Sequence, residues 1–455
     1  MPSLLQRLRQ VFSSRRTPPA QKKPARSPRT VPDKEASPAE TGATAALVAV
    51  AARRPLMAAD GAIFGFEFCI DEATLRRLRS RNDPRGRAAH VSALLTSARL
   101  MSQTGRVGFA RLPIDWMVYV TDVSCAAGAW VGIERAPPAA QASDQMETAA
   151  NLVQQLRTAG VKVGWDITLM PDQTPDFVML HQGPDPMSTL LEATKTWPQA
   201  LRDLPTLVTD VASIKDVELA LSSGIRYACG ALVPPAQPLS PADTLPLPPE
   251  VQRVGQLLNQ LVIGTDTAVI VSDIKSDVGL SYRLLRRINS ASFAQLHAEA
   301  SVDQAVLMLG RNELYRWLSL LLVQFAGKRK ASSALQEVTL WRSRLLELLA
   351  QEKNEPAPGQ LFTLGLASML GPLLKISQDD VVSTLNLPAP ACQALLDQAG
   401  PWHMYLHMAL LVQTQSLGEH SELAEPFGGV ERVMALADDA WAWAWEAEHA
   451  NRDAA

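Results

Sequence analysis

Residues Gln145–Ile167 read QMETAANLVQQLRTAGVKVGWDI and give the clearest indication of the fold of the first half of the chain. Its first part, Gln145–Ala159, has the apolar spacing of a helix, and Gly160 follows directly, where helices commonly end on a glycine. Its second part, Val161–Ile167, is a short apolar run typical of a buried strand. A helix, a glycine and a strand in this order predict the connection between neighbouring strands of a parallel sheet.

The same alternation of short apolar runs and helical stretches extends in both directions, from about Ala45 to about Pro238. A second helix, Ile214–Ser223, is likewise closed by Gly224. The predicted strands are Ala62–Phe68, Arg106–Leu112, Ala129–Ile133, Val161–Ile167, Phe177–Leu180, Thr206–Thr209 and Tyr227–Val233. We therefore predict an α/β domain over residues 47–236, built as a parallel sheet or barrel.

A proline-rich stretch then separates this domain from a region of different pattern. It contains Pro234, Pro235, Pro238, Pro241, Pro246, Pro248 and Pro249. Proline enters neither a helix interior nor a central strand, so residues 237–250 are predicted to be a stiff linker. Beyond it, Ser301-Val-Asp-Gln304 has the spacing of a capping box, and Gly310 marks the end of the helix that follows. Residues 251–448 are predicted to be all-α.

The charge, the cysteine spacing and the apolar runs of the chain argue against several classes of protein. The chain has 455 residues with a formal net charge of −3, which gives no general attraction to nucleic acid. Four widely separated cysteines indicate neither a zinc ribbon nor a disulfide framework, and no apolar run suits a membrane span or a secretory signal. We expect a cytoplasmic protein with no cofactor and no nucleic-acid partner.

The first 46 residues have a composition of their own. Eight of the first thirty are Lys or Arg, and prolines interrupt the segment repeatedly. We predict a disordered basic arm over residues 1–46. The alternative is a short amphipathic anchor, formed by Leu4, Leu5, Leu8, Val11 and Phe12, that contacts a membrane weakly.

Four segments of the helical half resemble the HDOD domain in order and spacing. They are Asp273–Phe293, Ser301–Gly310, Leu314–Leu322 and Gly365–Leu374. Upstream, Arg54–Phe68 looks like the opening strand of an EAL domain, the (β/α) barrel of cyclic di-GMP phosphodiesterases. Together they resemble the two-domain EAL–HDOD family of bacterial signalling proteins. The resemblance implies a degenerate, shortened EAL-type barrel followed by an all-helical HDOD domain.

EAL enzymes cleave a phosphodiester with two divalent cations, held by carboxylates and an asparagine, and with a nearby lysine. Such hard cations need several oxygen ligands, so the test is which ligands survive. The resemblance places the first glutamate at Glu67 and the next strand's glutamate at Glu134. It places Arg111 where the family has its asparagine, which brings a cation to the position of a metal ligand.

The remaining catalytic positions are also altered. The paired aspartates fall on Asp166 and Ile167, so one carboxylate is lost. The lysine falls at Met179, the late glutamate at best on Asp210, and a glutamine on Cys229. The resemblance thus leaves Glu67, Glu134 and Asp166 as vestigial positions, and we predict neither a metal site nor catalysis by two metals.

The helical half can be tested for metal ligands in the same way. HD phosphohydrolases bind their metal through a His-Asp doublet. No His-Asp dipeptide occurs in the chain, and the matching position is Leu370-Gly371. The helix that would carry an earlier histidine has Trp341-Arg-Ser343 instead. We therefore expect a non-catalytic signalling or scaffold protein that acts through protein contacts of its HDOD domain. The alternatives are a cyclic di-GMP receptor without turnover and an active phosphodiesterase.

Overall fold

A computed structural model describes residues 53–70, 72–81, 83–135, 142–169, 174–235, 244–288, 301–325, 331–385 and 387–452. The predicted basic arm, residues 1–46, lies outside them, as does the first half of the predicted linker, residues 237–243. The strands are β1 Arg53–Ala58, β2 Ile63–Phe68, β3 Val107–Pro113, β4 Trp130–Glu134, β5 Lys162–Asp166, β6 Phe177–His181, β7 Thr206–Val211 and β8 Tyr227–Gly230.

The α-helices divide between the two halves of the chain. Those of the first half are α1 Glu72–Ser80, α2 Pro84–Ser102, α3 Ala142–Thr158, α4 Met187–Lys195, α5 Gln199–Arg202 and α6 Ile214–Ser222. Those of the second half are α7 Pro249–Val262, α8 Thr267–Lys275, α9 Val278–Ile288, α10 Val302–Gln324, α11 Ser332–Glu352, α12 Pro358–Leu374, α13 Gln378–Leu385, α14 Ala389–Leu396, α15 His403–Thr414 and α16 Val430–Arg452. Short 3₁₀ helices are Ile114–Tyr119, Val123–Ala126, Ile167–Leu169 and Leu417–Phe427.

The eight strands close into a barrel in sequence order, which confirms the predicted α/β barrel. Strands β2 to β8 are parallel, whereas β1 runs antiparallel to both of its neighbours, β2 and β8. Ten residues, 167–176, separate β5 from β6, and the described part of this connection contains the 3₁₀ helix Ile167–Leu169. Gly160 and Gly224 both have positive φ after their helices, as the sequence predicts.

The predicted opening strand is wrong in one respect, because Arg54–Phe68 contains two strands rather than one. The chain reverses between Ala58 and Ala62, with Gly61 at φ 82° and its N–H donating to the Ala58 carbonyl at 2.8 Å. The dipeptide Asp60-Gly61 supplies the positive φ that a tight hairpin needs. This turn creates β1, which the list of predicted strands omits, and aligns Arg54 with Glu67 across the hairpin.

The lower part of the barrel interior is filled by apolar side chains. They form a separate buried cluster of Leu56, Phe109, Trp130, Phe177, Met179, Leu207 and Cys229. Trp130 stacks on Phe177 with ring centroids 5.0 Å apart. Because this layer is packed rather than open, polar chemistry inside the barrel is confined to the carboxyl ends of the strands.

The second half is helical throughout its described residues, as predicted, and continues to Arg452. The Ser301 hydroxyl accepts a hydrogen bond from the Gln304 N–H at 3.2 Å, and Gly310 interrupts the helical geometry of α10 at φ 70°. Helix α7 begins at Pro249, inside the predicted linker, because proline fits the first position of a helix. No helix of the described chain combines the length and apolarity needed to cross a membrane.

The two halves share an extensive interface along β1 and β2. Helices α11 and α16 of the helical half pack against these strands, beside the barrel helix α2, which also contacts β2. Phe66 meets the edge of Trp441 at 4.8 Å between ring centroids, and Trp441 stacks on Trp341 at 5.0 Å. Arg106 makes two hydrogen bonds of 2.8 Å to Glu337, and both residues are buried. These contacts fix the helical half against the barrel, and we call this interface the wall along β1 and β2.

Candidate functional site at the barrel mouth

The polar side chains of the barrel gather at the carboxyl ends of its strands, around a cavity of about 370 Å³. This is the end at which parallel barrels usually carry their functional groups, because the strand ends and the loops that follow converge there. The charged and polar residues that line the cavity from the barrel include Arg54, Arg111, Glu134, His181 and Asp210. Residues 414–416 and Glu419, from the helical half, complete its wall.

Glu67 is the centre of the site and is fully buried. One of its carboxylate oxygens contacts Nε of Arg111, and the other lies 3.2 Å from Nε of Arg54. The Cys229 thiol donates to that second oxygen at 3.3 Å. The negative charge of Glu67 is therefore neutralised by two arginines from β1 and β3, which occupy the space in front of it.

Asp210 forms the second centre of negative charge. It accepts two hydrogen bonds from Arg111, at 2.6 and 3.1 Å, and one from Arg54 at 2.6 Å. His181 Nδ1 lies 2.8 Å from the same carboxylate. Asp210 has φ 56°, in the left-handed region, and the β7–β8 register breaks between Val208 and Val211. This bulge turns the Asp210 side chain towards the arginines, and aspartate tolerates the strained conformation better than most residues do.

The pKa values of the cluster follow from these contacts. Burial alone would raise the pKa of Asp210, but the His181 hydrogen bond and the two arginines outweigh it and lower that pKa well below its usual range. The hydrogen bond to Asp210 raises the pKa of His181. Burial raises the pKa of Glu134, although Arg111 lies 3.5 Å from its carboxylate. Burial disfavours the charged forms of both arginines, yet the surrounding carboxylates raise their pKa values.

The structure brings together only part of the site that the sequence predicts. Glu67, Arg111 and Glu134 meet at the barrel mouth, and Asp210 joins them. Asp166 lies at the end of β5, where its carboxylate accepts from the Thr168 N–H at 2.7 Å and so caps the following 3₁₀ turn.

Three substituted positions lie around or below this cluster. Ile167 packs against the main hydrophobic core, and Cys229 lies beneath Glu67. Met179 is buried in the apolar layer of the barrel, at 2% exposure. A lysine at position 179 would therefore have no open space at the mouth to reach through.

Two residues of the cluster are not among the site residues that the sequence predicts. Arg54 becomes visible only when Arg54–Phe68 is divided into a hairpin, which pairs it with Glu67. His181 lies two residues after Met179 in β6, so strand alternation puts both side chains on the inner face, with His181 nearer the mouth. The two-residue period was a usable signal for His181.

The carboxylates of the cluster already have cationic partners. No group of three or more His, Cys, Asp or Glu side chains within the described ranges has the geometry of a metal site. The oxygens of Glu67 and Asp210 point at guanidinium groups, which hold the places that cations would take. Because these arginines pair with the carboxylates, the group has the contacts of a structural ion-pair cluster.

The positions that match an HD metal site are buried in the structure. Leu370 in α12 and Trp341 in α11 are 2% and 1% exposed, and the Cβ of an alanine at Gly365 would meet the Ser343 backbone. Arg342 is buried between the helices, and burial lowers its pKa to about 10. The close contact of α11 and α12 leaves no cleft at this place.

Parts of this chain are similar to a known protein family and to curated proteins. Residues 245–386 match the family profile described as "HDOD domain", so the chain contains an HDOD domain, as the sequence resemblance implies. A curated relative from Bacillus subtilis, "Uncharacterized protein YuxH", is 27% identical over 225 residues, 49% of this chain and 54% of that protein. "Cyclic di-GMP phosphodiesterase CdgJ" of Vibrio cholerae serotype O1 is 30% identical over 129 residues, 28% of this chain and 30% of that protein. The chain thus matches about half of the first relative's length and less than a third of the second's.

Solved EAL domains are among the structures similar to this chain. The Xanthomonas citri FimX EAL domain in complex with c-diGMP has a TM-score of 0.32 and 14% identity, and covers 44% of this chain and 93% of that one. An EAL domain protein from Listeria monocytogenes EGD-e has a TM-score of 0.29 and 15% identity, over 44% of this chain and 92% of that one.

Proposed function

We propose that this protein is a non-catalytic component of cyclic di-GMP signalling, which acts through protein contacts of its HDOD domain. In this proposal the barrel is a degenerate EAL domain that supports the helical half and has lost phosphodiesterase activity. The HDOD match and the printed name of the Vibrio cholerae relative support the signalling class. The geometry of the barrel mouth supports the loss of catalysis.

The observation that carries the proposal is the position of Arg111. Its Nε contacts Glu67 and its Nη atoms bind Asp210, so the guanidinium lies between the carboxylates that a metal would need. A divalent cation about 4 Å from that guanidinium would be repelled by roughly 8 kcal/mol at an effective dielectric constant near 20. The metal would have to displace Arg111 before it could bind, and Glu67 would then lose a buried partner.

The HDOD domain presents apolar side chains that support a role in protein contacts. Val278 and Tyr282 lie one turn apart on α9 and are 83% and 63% exposed, and Leu307 on α10 is 74% exposed. Exposed apolar and aromatic side chains one turn apart on a helix, as Val278 and Tyr282 are, are typical of partner-binding surfaces.

The loss of catalysis is tested by incubating the purified chain with cyclic di-GMP and Mg²⁺ or Mn²⁺. The products are separated by chromatography, and the same mixtures are studied by calorimetry. We expect neither the linear dinucleotide nor binding heat. Product formation that disappears in the Glu67→Gln variant would overturn the proposal. Binding without product would make the protein a cyclic di-GMP receptor instead.

The role of the HDOD surface is tested by cross-linking in cells that contain the full chain. Replacing both Val278 and Tyr282 by aspartate should remove specific cross-links without changing the melting temperature, because both side chains already face solvent. Val118, which is 62% exposed on the barrel, provides a matched control as Val118→Asp. Equal cross-linking by all three proteins would contradict a binding role for this surface.

A further inference from the structure

The wall of the mouth cavity includes a segment that belongs to the helical half. We call residues Thr414–Glu419, which run from the last residue of α15 into the next 3₁₀ helix, the strap. The strap contacts the barrel at two places. The Cys69 thiol at the end of β2 donates to the side-chain oxygen of Gln415, and Glu419 pairs with Arg76 on α1.

The strap is anchored firmly on its helical side. Gln413, the residue before it, accepts a hydrogen bond from the buried Arg342 of α11 and donates to the Ala231 carbonyl beyond β8 at 3.4 Å. Gln415 itself adopts φ 61°, a left-handed conformation that costs a residue with a side chain of order 1 kcal/mol or more. The geometry that points Gln415 at Cys69 is thus imposed by α15.

The contacts on the barrel side are much weaker than the wall along β1 and β2. Arg76 and Glu419 have side chains 64% and 35% exposed, and exposed ion pairs contribute about 0–1 kcal/mol. The wall contains the buried pair of Arg106 and Glu337 and the aromatic stack around Trp441. The Cys69–Gln415 hydrogen bond is buried, but the strap has fewer buried contacts with the barrel than the wall has, so it opens at a lower cost in free energy than the wall does.

We propose that the strap is a lid that opens and closes the barrel mouth while the two halves of the protein stay joined along β1 and β2. When it lifts, the cavity containing Arg54, Arg111 and Asp210 becomes open to solvent on the side of the helical half. The C-terminal helices thereby control access to the barrel mouth. Opening of the strap is separate from the proposed function, because it does not depend on whether the barrel binds a nucleotide.

Cys69 and Cys229 are natural reporters of this motion. Both thiols are buried, and burial raises both of their pKa values, so each reacts with a thiol reagent only after an opening event. Cys69 lies under the strap, whereas Cys229 is hydrogen-bonded to Glu67 inside the barrel. Lifting the strap exposes Cys69 alone, and unfolding of the barrel exposes both.

The test measures the labelling rate of each cysteine by N-ethylmaleimide, using peptide mass spectrometry on the full chain. Arg76→Glu replaces attraction to Glu419 by repulsion, and we expect labelling of Cys69 to accelerate about tenfold with Cys229 unchanged. The double variant R76E/E419R should return Cys69 to within about twofold of its original rate. Lys195→Glu, which creates the same repulsion with Glu192 on α4, is the matched control and should change neither rate.

Three outcomes would overturn the proposal. The first is an unchanged Cys69 rate in Arg76→Glu, and the second is equal acceleration of Cys69 and Cys229. The third is failure of the charge-swapped double variant to restore the original rate. None of these outcomes depends on nucleotide binding, so the lid and the proposed function fail separately.

Discussion

The ion-pair cluster makes a quantitative prediction for Arg111→Met, a replacement that keeps most of the side-chain volume and removes the charge. In the native cluster, Arg54 and Arg111 face the buried Glu67 and Asp210. The variant leaves Arg54 alone against both carboxylates. Because removal of one partner from a buried ion pair leaves an uncompensated charge, we expect the free energy of unfolding to fall by about 3–5 kcal/mol.

The assay is urea-induced unfolding of the full chain, followed by tryptophan fluorescence and far-ultraviolet circular dichroism. The double variant R111M/E67Q pairs Arg54 with Asp210 alone, so it should recover at least half of the loss. Arg157→Met is the matched control, since Arg157 pairs with Asp176 at a partly exposed site, and its cost should stay below about 1 kcal/mol.

The outcome that would refute the reasoning is equally specific. A loss of less than about 1 kcal/mol in Arg111→Met would show that Glu67 is stabilised without its contact to Arg111. A double variant less stable than the single variant would show that the carboxylate is not the charge left unpaired. Free energies of unfolding are compared between variants only if fluorescence and circular dichroism report the same transition. If the two signals differ, the urea midpoint of the barrel's transition is compared instead.

Two further predictions concern the same site. The triple variant R111N/I167D/M179K should not hydrolyse cyclic di-GMP in the chromatographic assay, because position 179 lies in the buried apolar layer; metal-dependent product would contradict this. His181 has a pKa raised above its ordinary value of 6.5 by Asp210, so its stabilising effect is complete below pH 6.5 and is lost as pH rises through the raised pKa. The melting temperature of the native protein should therefore fall as the pH rises above 6.5 and through the raised pKa of His181, and His181→Gln should flatten that slope. Parallel slopes would contradict the assignment.

The order of elements was largely predictable from the sequence, because local signals specify it. Apolar runs separated by helical stretches, with Gly160 and Gly224 at positive φ, identify the α/β half. The capping contact of Ser301 and the break at Gly310 likewise appear where the sequence places them. The hairpin at Gly61 was missed, although its Asp-Gly dipeptide is a local signal that sequence reasoning can use.

The candidate site was predictable only in part. The inward positions Glu67, Arg111 and Glu134 follow from a family resemblance, and His181 follows from strand alternation. Asp210 reaches the arginines through a bulge and a left-handed φ, which depend on the register of β7 against β8. Such a register is set by the whole sheet, so no local pattern predicts it.

The sequence alone was enough to predict the fold class of each half, because residue type and periodicity are local properties, and the loss of the metal ligands stays a prediction. It placed a cation, Arg111, at the barrel mouth without deciding what that cation would bind. Only the tertiary structure decided that Arg111 and Arg54 neutralise Glu67 and Asp210, since these residues come from β1, β2, β3 and β7. The structure also brings Gln415 against Cys69 at the barrel mouth, a contact between positions 346 residues apart in the chain. Ion pairs and hydrogen bonds of this kind join residues that are far apart in the chain, and only the fold brings those residues together.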